Sequence, residues 1–282
     1  MRVFFVTSGC HHKNLFFMNK YLEKHHTIVN SIDDADIIYS PATYIDSSKY
    51  KDKFFIFGPH FSQFPNKVVN KFNNIHKNSI YIQPSQASVD TWTIDYNFTN
   101  IPVVAIPFGV DTEKFIQTIN IRDKILLYYK DRNPKELNYL EQFLQEKNIQ
   151  YKLFNYKQRY DSNEYLSYLK NCKYGIWLGS HESQGFALEE ALACNVPLLV
   201  WNVKLRNQEW SRRKYYTNKQ LTTIISTIPY WDERCGEFFY KQEDFEQTFE
   251  KFISKLNTYK PREYIMEILN VKKCGIVFEK LI

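Results

Sequence analysis

Residues 179–202 read GSHESQGFALEEALACNVPLLVWN, and the order of pieces in this run decides the fold. The residues just before it, YGIWL at 174–178, form an apolar strand; a turn carrying Gly179, Ser180 and His181 then leads into a helix over about 184–193. Pro197 opens a second apolar strand at 197–201. A strand, a helix and a strand joined by short turns make a parallel βαβ unit. The first N–H groups of such a helix have no partner within it, and the helix dipole adds to their pull on phosphate or sugar oxygen. Gly185 permits close approach of a ligand to the backbone. Glu182 precedes the helix and Glu190 lies two turns inside it, so two carboxylates stand at different depths and can accept hydrogen bonds from two sets of hydroxyls. On spacing alone the pair reads equally well as a helix cap and a solvated helix charge.

The same alternation extends in both directions. Downstream of residue 124 it runs as strand 125–129, helix 134–146 with Pro134 at its start, strand 151–154, helix 162–169 and the unit above. Upstream, β-rich runs at 3–6, 36–39, 54–57, 80–82 and 103–106 alternate with helical spacing at Leu15, Phe16, Met18, Tyr21 and Leu22 and at Val89, Trp92 and Ile94. The pattern breaks at PFGVDTEKF, residues 107–115, a turn-rich linker. The fold class is therefore α/β with two Rossmann-like, doubly wound domains facing a cleft, where open parallel sheets bind ligands at their strand C-termini. The expected division is an N-terminal domain at 1–108, a second domain at 109–260, and C-terminal helices at 261–282 that cross back to the first domain.

Composition narrows the function. The 282 residues, 44% hydrophobic, suffice for two modest cores, and no apolar stretch approaches the ~20 residues of a membrane-spanning helix. The start, MRVFFVTSGCHHKN, lacks the features of a secretory signal, and five scattered cysteines form no metal-ligand pattern, so a cytoplasmic protein with reduced thiols is expected. The net charge of +6 comes from 37 basic against 31 acidic residues without a long basic tract, which fits a phosphorylated small molecule as well as nucleic acid, and no RNP-like or helix-turn-helix signature supports the latter.

The run from Glu182 resembles the E-x7-E signature of retaining glycosyltransferases of family 4 and their relatives, commonly E-G-F-G-L-x-x-x-E-A-x-A-x-G-x-P. Glu182, Gly185, Glu190, Ala191, Ala193 and Pro197 match it. PFGVDTEKF is similar to the P-x-G-V-D-x-x-x-F run that leads into the donor domain of these enzymes. KILLYYKDRNPKEL, residues 124–137, resembles the segment in which an Arg and, five residues on, a Lys hold the donor diphosphate; Lys130 stands at the Arg position and Lys135 at the Lys position. IPYWDERCGEFF at 228–239 is similar to a later segment, and GPHFSQFPN and IYIQPSQASVDTW resemble N-terminal elements of some relatives. Ser183, Gln184, Gly185, Phe186 and Ala187 depart from the common G-F-G-L.

The resemblance implies the GT-B fold and transfer of a sugar from a nucleotide-diphosphate donor to a glycan, lipid or protein acceptor, with retention and without a metal or other cofactor. It implies that Glu182 faces the donor sugar as the catalytic carboxylate, that Glu190 meets the ribose, and that Gln184, Gly185, Phe186 and Ala187 line the donor. Lys130 keeps the charge of Arg but not its flat fork. Arg132 is a further cation for the diphosphate, or a solvated loop residue, and Tyr156 offers a ring to the nucleotide base, whereas Tyr128 reads as core. His60 and His181 are the candidates for acid–base work. The D-x-D at Asp34 and Asp36 precedes an apolar strand in the N-terminal half and reads as no metal site. No nucleic-acid partner is expected; peripheral membrane contact is compatible with the chain. The rival reading is a non-catalytic protein of the same fold that binds sugar nucleotides or glycans.

Overall fold

The structure, a computed structural model, describes residues 1–73, 75–118 and 121–282. Two compact units divide the chain: Met1–Val110 with Leu269–Ile282, and Asp111–Ile268. The boundaries thus fall at Val110 and Ile268 rather than at 108 and 260.

The first unit contains β1 (Arg2–Phe5), α1 (His12–His25), β2 (Thr27–Ile28), β3 (Ile37–Ser40), β4 (Phe54–Phe57), β5 (Ser79–Gln83), α2 (Gln86–Asp90) and β6 (Val103–Ala105). All pairings are parallel and the sheet order is β2-β1-β3-β4-β5-β6. A parallel sheet buried on both faces needs strands that are apolar throughout, which is why β4 reads FFIF. Its Phe55 and Phe57 lie with Phe72, Tyr81 and Trp92 in one core, Tyr81 stacking on Trp92 at 4.3 Å. α1 buries Met18, Tyr21 and Leu22 as the spacing suggests, but with them Asn14 and Phe17, while Leu15 and Phe16 are only partly buried. Ile94, expected on the same face as Trp92, is 73% exposed. A π turn at Thr91–Asp95 widens the helix there and rotates Ile94 outward.

The second unit contains β7 (Lys124–Tyr129), α3 (Pro134–Glu146), β8 (Lys152–Asn155), α4 (Ser162–Leu169), β9 (Cys172–Leu178), α5 (Phe186–Ala193), β10 (Leu198–Trp201), α6 (Asn218–Leu221), β11 (Gly236–Phe239), α7 (Phe245–Ser254) and α8 (Pro261–Ile268). Its five strands are also parallel, in the order β11-β10-β9-β7-β8. The helices start where side chains satisfy their first N–H groups: Asn133 accepts from the Lys135 N–H at 3.1 Å, and Asp161 from those of Asn163 and Glu164 at 2.8 Å each. Asp161→Ala is expected to cost about 1 kcal/mol, read as a lowered urea midpoint; a loss below a quarter of that would mean that water replaces the cap. Gly236 pairs with Leu198 at a φ of +136°, and a Cβ there would lie 2.0 Å from the Leu198 carbonyl oxygen, so only glycine lets β11 close against β10.

α8 belongs to the second unit because its residues are tied there: the Arg262 guanidinium donates to the carbonyls of Thr112, Phe115 and Ala193. The last helix, α9 (Val271–Glu279), belongs to the first unit. The Val110 N–H donates to the Leu269 carbonyl at 2.8 Å, the Tyr21 hydroxyl to Glu279, and Gly275 leaves the room that the Tyr21 ring occupies. Among the described residues no helix is long and apolar enough to cross a membrane.

Candidate functional site

In the second sheet the chain reverses direction between β7 and β9: β8 lies on one side of β7, while β9, β10 and β11 follow on the other. Doubly wound sheets bind ligands at such a switch point, beyond the strand C-termini. The two loops that leave it are 130–133 after β7 and 179–185 after β9. They carry Lys130, Arg132, His181, Glu182, Gln184 and Gly185.

Lys130 leaves the end of β7, its N–H donating to the Leu178 carbonyl at 2.9 Å. Its ammonium lies 2.7 Å from Glu182 Oε1 and 4.8 Å from the centre of the Tyr156 ring. Both charged side chains are mostly enclosed, at 19% and 13% exposure, so this pair crosses the switch point in a poorly hydrated place. Tyr156 is half exposed. Lys135 is exposed in the first turn of α3 and makes no ion pair among the described residues.

Glu182 does not cap α5. The residue in the cap position is Gly185, at a φ of +99°, and its Cβ would have met nothing nearer than 3.5 Å, so the backbone conformation and not space asks for glycine. The first intrahelical bond runs from the Glu189 N–H to the Gly185 carbonyl, so the N–H groups of the first turn have no acceptor within the helix. The Tyr165 hydroxyl of α4 donates to the Ala187 carbonyl at 2.8 Å and so anchors that turn. Glu190 is buried on the same helix at 6% exposure. Tyr128 is core, stacked on Trp177 at 3.8 Å.

Three expectations change with the structure. Arg132 is wholly buried and turned away from any ligand: it forks onto Glu136 at 2.8 and 2.9 Å and donates to the carbonyls of Gly179 and Trp201 at 3.0 and 2.9 Å. A solvated loop residue was the other expectation, and it fails equally. A charge that deep must be paired at every donor, and the ends of β9 and β10 supply the acceptors. Gln184 is also buried, its amide donating to Glu189 Oε2 at 2.9 Å, so its side chain points into the protein. His181 has an enclosed Nδ1 without a hydrogen-bond partner, and burial together with Arg206, Lys130 and Arg212 pushes its pKa well down. It stands as a neutral imidazole, not as the cationic acid that a leaving group would draw on.

His60 lies in the first unit, after β4. Its Nε2 accepts from the His11 N–H at 3.4 Å, and burial with His11 nearby lowers its pKa to about 4. Asp36 of the D-x-D accepts from the backbone N–H and guanidinium of Arg2. Among the described residues no three His, Cys, Asp or Glu groups stand where they could hold a metal ion.

Several supporting residues were not foreseen. Asp131, in the left-handed region at φ +50°, accepts from the Ser211 N–H at 2.9 Å, and its carbonyl from the Trp210 N–H at 2.9 Å. Asn202 Oδ1, buried after β10, accepts from the N–H groups of Val203 and Thr227 at 2.9 and 2.8 Å, and the Ser226 carbonyl in turn holds the Glu182 N–H at 3.0 Å. Arg206 pairs with Glu209 at 3.4 Å with both side chains sealed. The polar letters just after β7 and β10 are a sequence signal for Asp131 and Asn202; nothing local marks Arg206.

No protein-family model matches the chain, and no curated protein sequence does either. Solved structures do. The catalytic domain of starch synthase IV from Arabidopsis thaliana, bound to ADP and acarbose, is similar with a TM-score of 0.54 at 10% identity, over 98% of this chain and 78% of that one. Sucrose-phosphate synthase from Thermosynechococcus elongatus gives 0.50 at 11% identity, over 94% of this chain and 76% of that one. The fold is GT-B. TarM gives 0.50 at 13% identity over 82% of this GT-B chain, which spans 55% of TarM and likewise 56% of the pneumococcal O-GlcNAc transferase GtfA. At such identities the likeness concerns the fold, and the second GT-B unit brings Lys130, Glu182 and the start of α5 to its own switch point.

Proposed function

We propose that the protein is a glycosyltransferase of the family 4 type, moving a sugar from a nucleotide-diphosphate donor to a glycan, lipid or protein acceptor with retention and without a divalent metal. The observation that carries this is the Lys130–Glu182 pair at 2.7 Å beside the first turn of α5. A cation and the N-terminus of a helix suit the diphosphate of a donor, and a carboxylate at the same switch point suits its sugar hydroxyls.

When donor enters, the diphosphate takes over the Lys130 ammonium from Glu182, and Lys135, free at the rim, adds a second charge. Breaking the glycosidic bond builds negative charge on the leaving diphosphate, and fixed cations with helix N–H groups stabilise it more as it develops. Phe186 and Ala187 act through their backbone N–H groups, with Gly185 allowing the approach. Glu182, released from Lys130, accepts from the sugar hydroxyls where charge grows on the ring; Glu190 accepts from the ribose, and Tyr156 offers its ring to the base. The neighbours' nucleotide and glycan partners, such as the ADP and acarbose of starch synthase IV, fit the same scheme.

A panel of UDP-, GDP-, ADP- and dTDP-sugars, read by thermal shift and then by donor hydrolysis with and without EDTA, tests it. One donor is expected to raise the melting temperature by several degrees and to be hydrolysed slowly, with EDTA changing the rate less than threefold. Stabilisation without hydrolysis or transfer would favour the binding-protein reading, and loss of turnover in EDTA restored by Mn²⁺ would end the metal-free one.

A further inference from the structure

Six of the eight residues of α5 are buried, and one of them, Glu189, is a carboxyl group at 1% exposure. An acid on such a helix is expensive unless it is neutral and bonded. Only one of its oxygens is bonded: Oε2 accepts from the Gln184 amide at 2.9 Å, while Oε1 is enclosed and has no hydrogen-bond partner among the described residues. An apolar residue would fill this place at lower cost, so the carboxyl is kept for what it holds. It holds the loop between Glu182 and Gly185, the segment that turns the chain into α5 and presents the first N–H groups.

We propose that Glu189 is a positioning residue of the donor site, its carboxyl clamping Gln184 so that Glu182 and the first turn of α5 keep their places. The proposal rests on the donor-site reading for its effect on binding, but the clamp itself is a property of the free protein. The opposite end of the loop is fixed separately, through the Glu182 N–H on the Ser226 carbonyl.

The clamp is made by the neutral acid. Burial raises the Glu189 pKa well above the ordinary carboxyl range, and the nearby charges of Glu190 and Glu182 raise it further, against the Gln184 hydrogen bond. The titratable groups facing it are Glu182 from the loop, Glu190 from its own helix and Tyr264 from α8. The folded state keeps a proton that the unfolded chain releases near the usual carboxyl pKa. Its contribution is full below that pKa and is lost as pH rises toward the raised folded value. Glu189→Gln keeps an acceptor for the Gln184 amide without a proton to lose, so the melting temperature of this variant should gain on the wild type between pH 5 and pH 8.

The test compares Glu189→Gln and Glu189→Leu with the wild type by amide hydrogen exchange of the peptide covering residues 182–187, and by binding of UDP, GDP and ADP. Glu189→Gln is expected to stay within twofold of wild type in both. Glu189→Leu should exchange at least tenfold faster in that peptide and bind the preferred nucleotide at least tenfold more weakly, with circular dichroism unchanged. Should Glu189→Leu fail to fold, Gln184→Leu removes the other half of the clamp and should give the same local increase in exchange. Leucine variants that exchange like the wild type overturn the proposal. If no nucleotide binds the wild type, the donor reading fails, and the exchange contrast still decides the clamp.

Discussion

Glu182→Ala is expected to lower kcat by on the order of 100-fold, about 2.7 kcal/mol, while leaving KM for the donor nearly unchanged. Two effects offset each other in the ground state. The substitution removes contacts to the sugar, but it also frees Lys130, whose ammonium otherwise has to leave a carboxylate 2.7 Å away before it reaches phosphate. Only the contacts that strengthen as charge develops on the ring are lost without compensation, and those set kcat. Glu190→Ala should behave oppositely: ribose contacts change little along the reaction, so KM should rise roughly tenfold, within the ~1–3 kcal/mol of a charged hydrogen bond, with kcat held. Steady-state kinetics against the donor identified by the panel, with circular dichroism as a folding control, measures both. A Glu182→Ala enzyme with kcat within threefold of wild type would remove the carboxylate from the chemistry.

The second large effect concerns stability. Arg132→Met should destabilise the second unit by roughly 3–5 kcal/mol, the range for breaking a buried ion pair on one side only. The substitution strands the Glu136 carboxylate and leaves the carbonyls of Gly179 and Trp201 without their donor. Methionine fills much of the volume, so packing alone accounts for little of the loss. Arg132→Lys should recover only part, because one ammonium cannot span the fork on Glu136 and both carbonyls together. Urea unfolding followed by tryptophan fluorescence reads the change, since Trp177 and Trp201 lie in this unit's core. A loss under 1 kcal/mol would mean that water enters and replaces the guanidinium.

These two residues also mark where the sequence is transparent and where it is opaque. Alternation of apolar runs with helical spacing is a local signal, so β7 through β10 and α3 through α5 are readable within a residue or two. Caps are equally local, as Asn133 before Pro134 illustrates. Lys130 and Glu182 are read from the sequence as lying just past strand ends, and the structure has both in the loops that follow β7 and β9. The burial of Arg132 is not legible, because KDRNP reads as a solvated loop until the ends of β9 and β10 are brought to it; its carbonyl partners lie 47 and 69 residues away. Glu189 is hidden for another reason: next to Glu190 it reads as one of two helix charges, and only the tertiary fold decides which faces are sealed. β2 is two residues long, too short for any periodicity.

The last helix belongs to the first unit, and this sets the order in which the protein becomes complete. Residues Met1–Val110 leave the ribosome first, yet their seat for α9 stays empty until the whole second unit has followed. At roughly 5–20 residues per second the delay is on the order of ten seconds. During it Tyr21 and Tyr39, which finally meet Phe278, lack that partner. The first unit is thus closed after the second, and a ribosome that stalls within α9 leaves behind a closed second unit attached to an open first one.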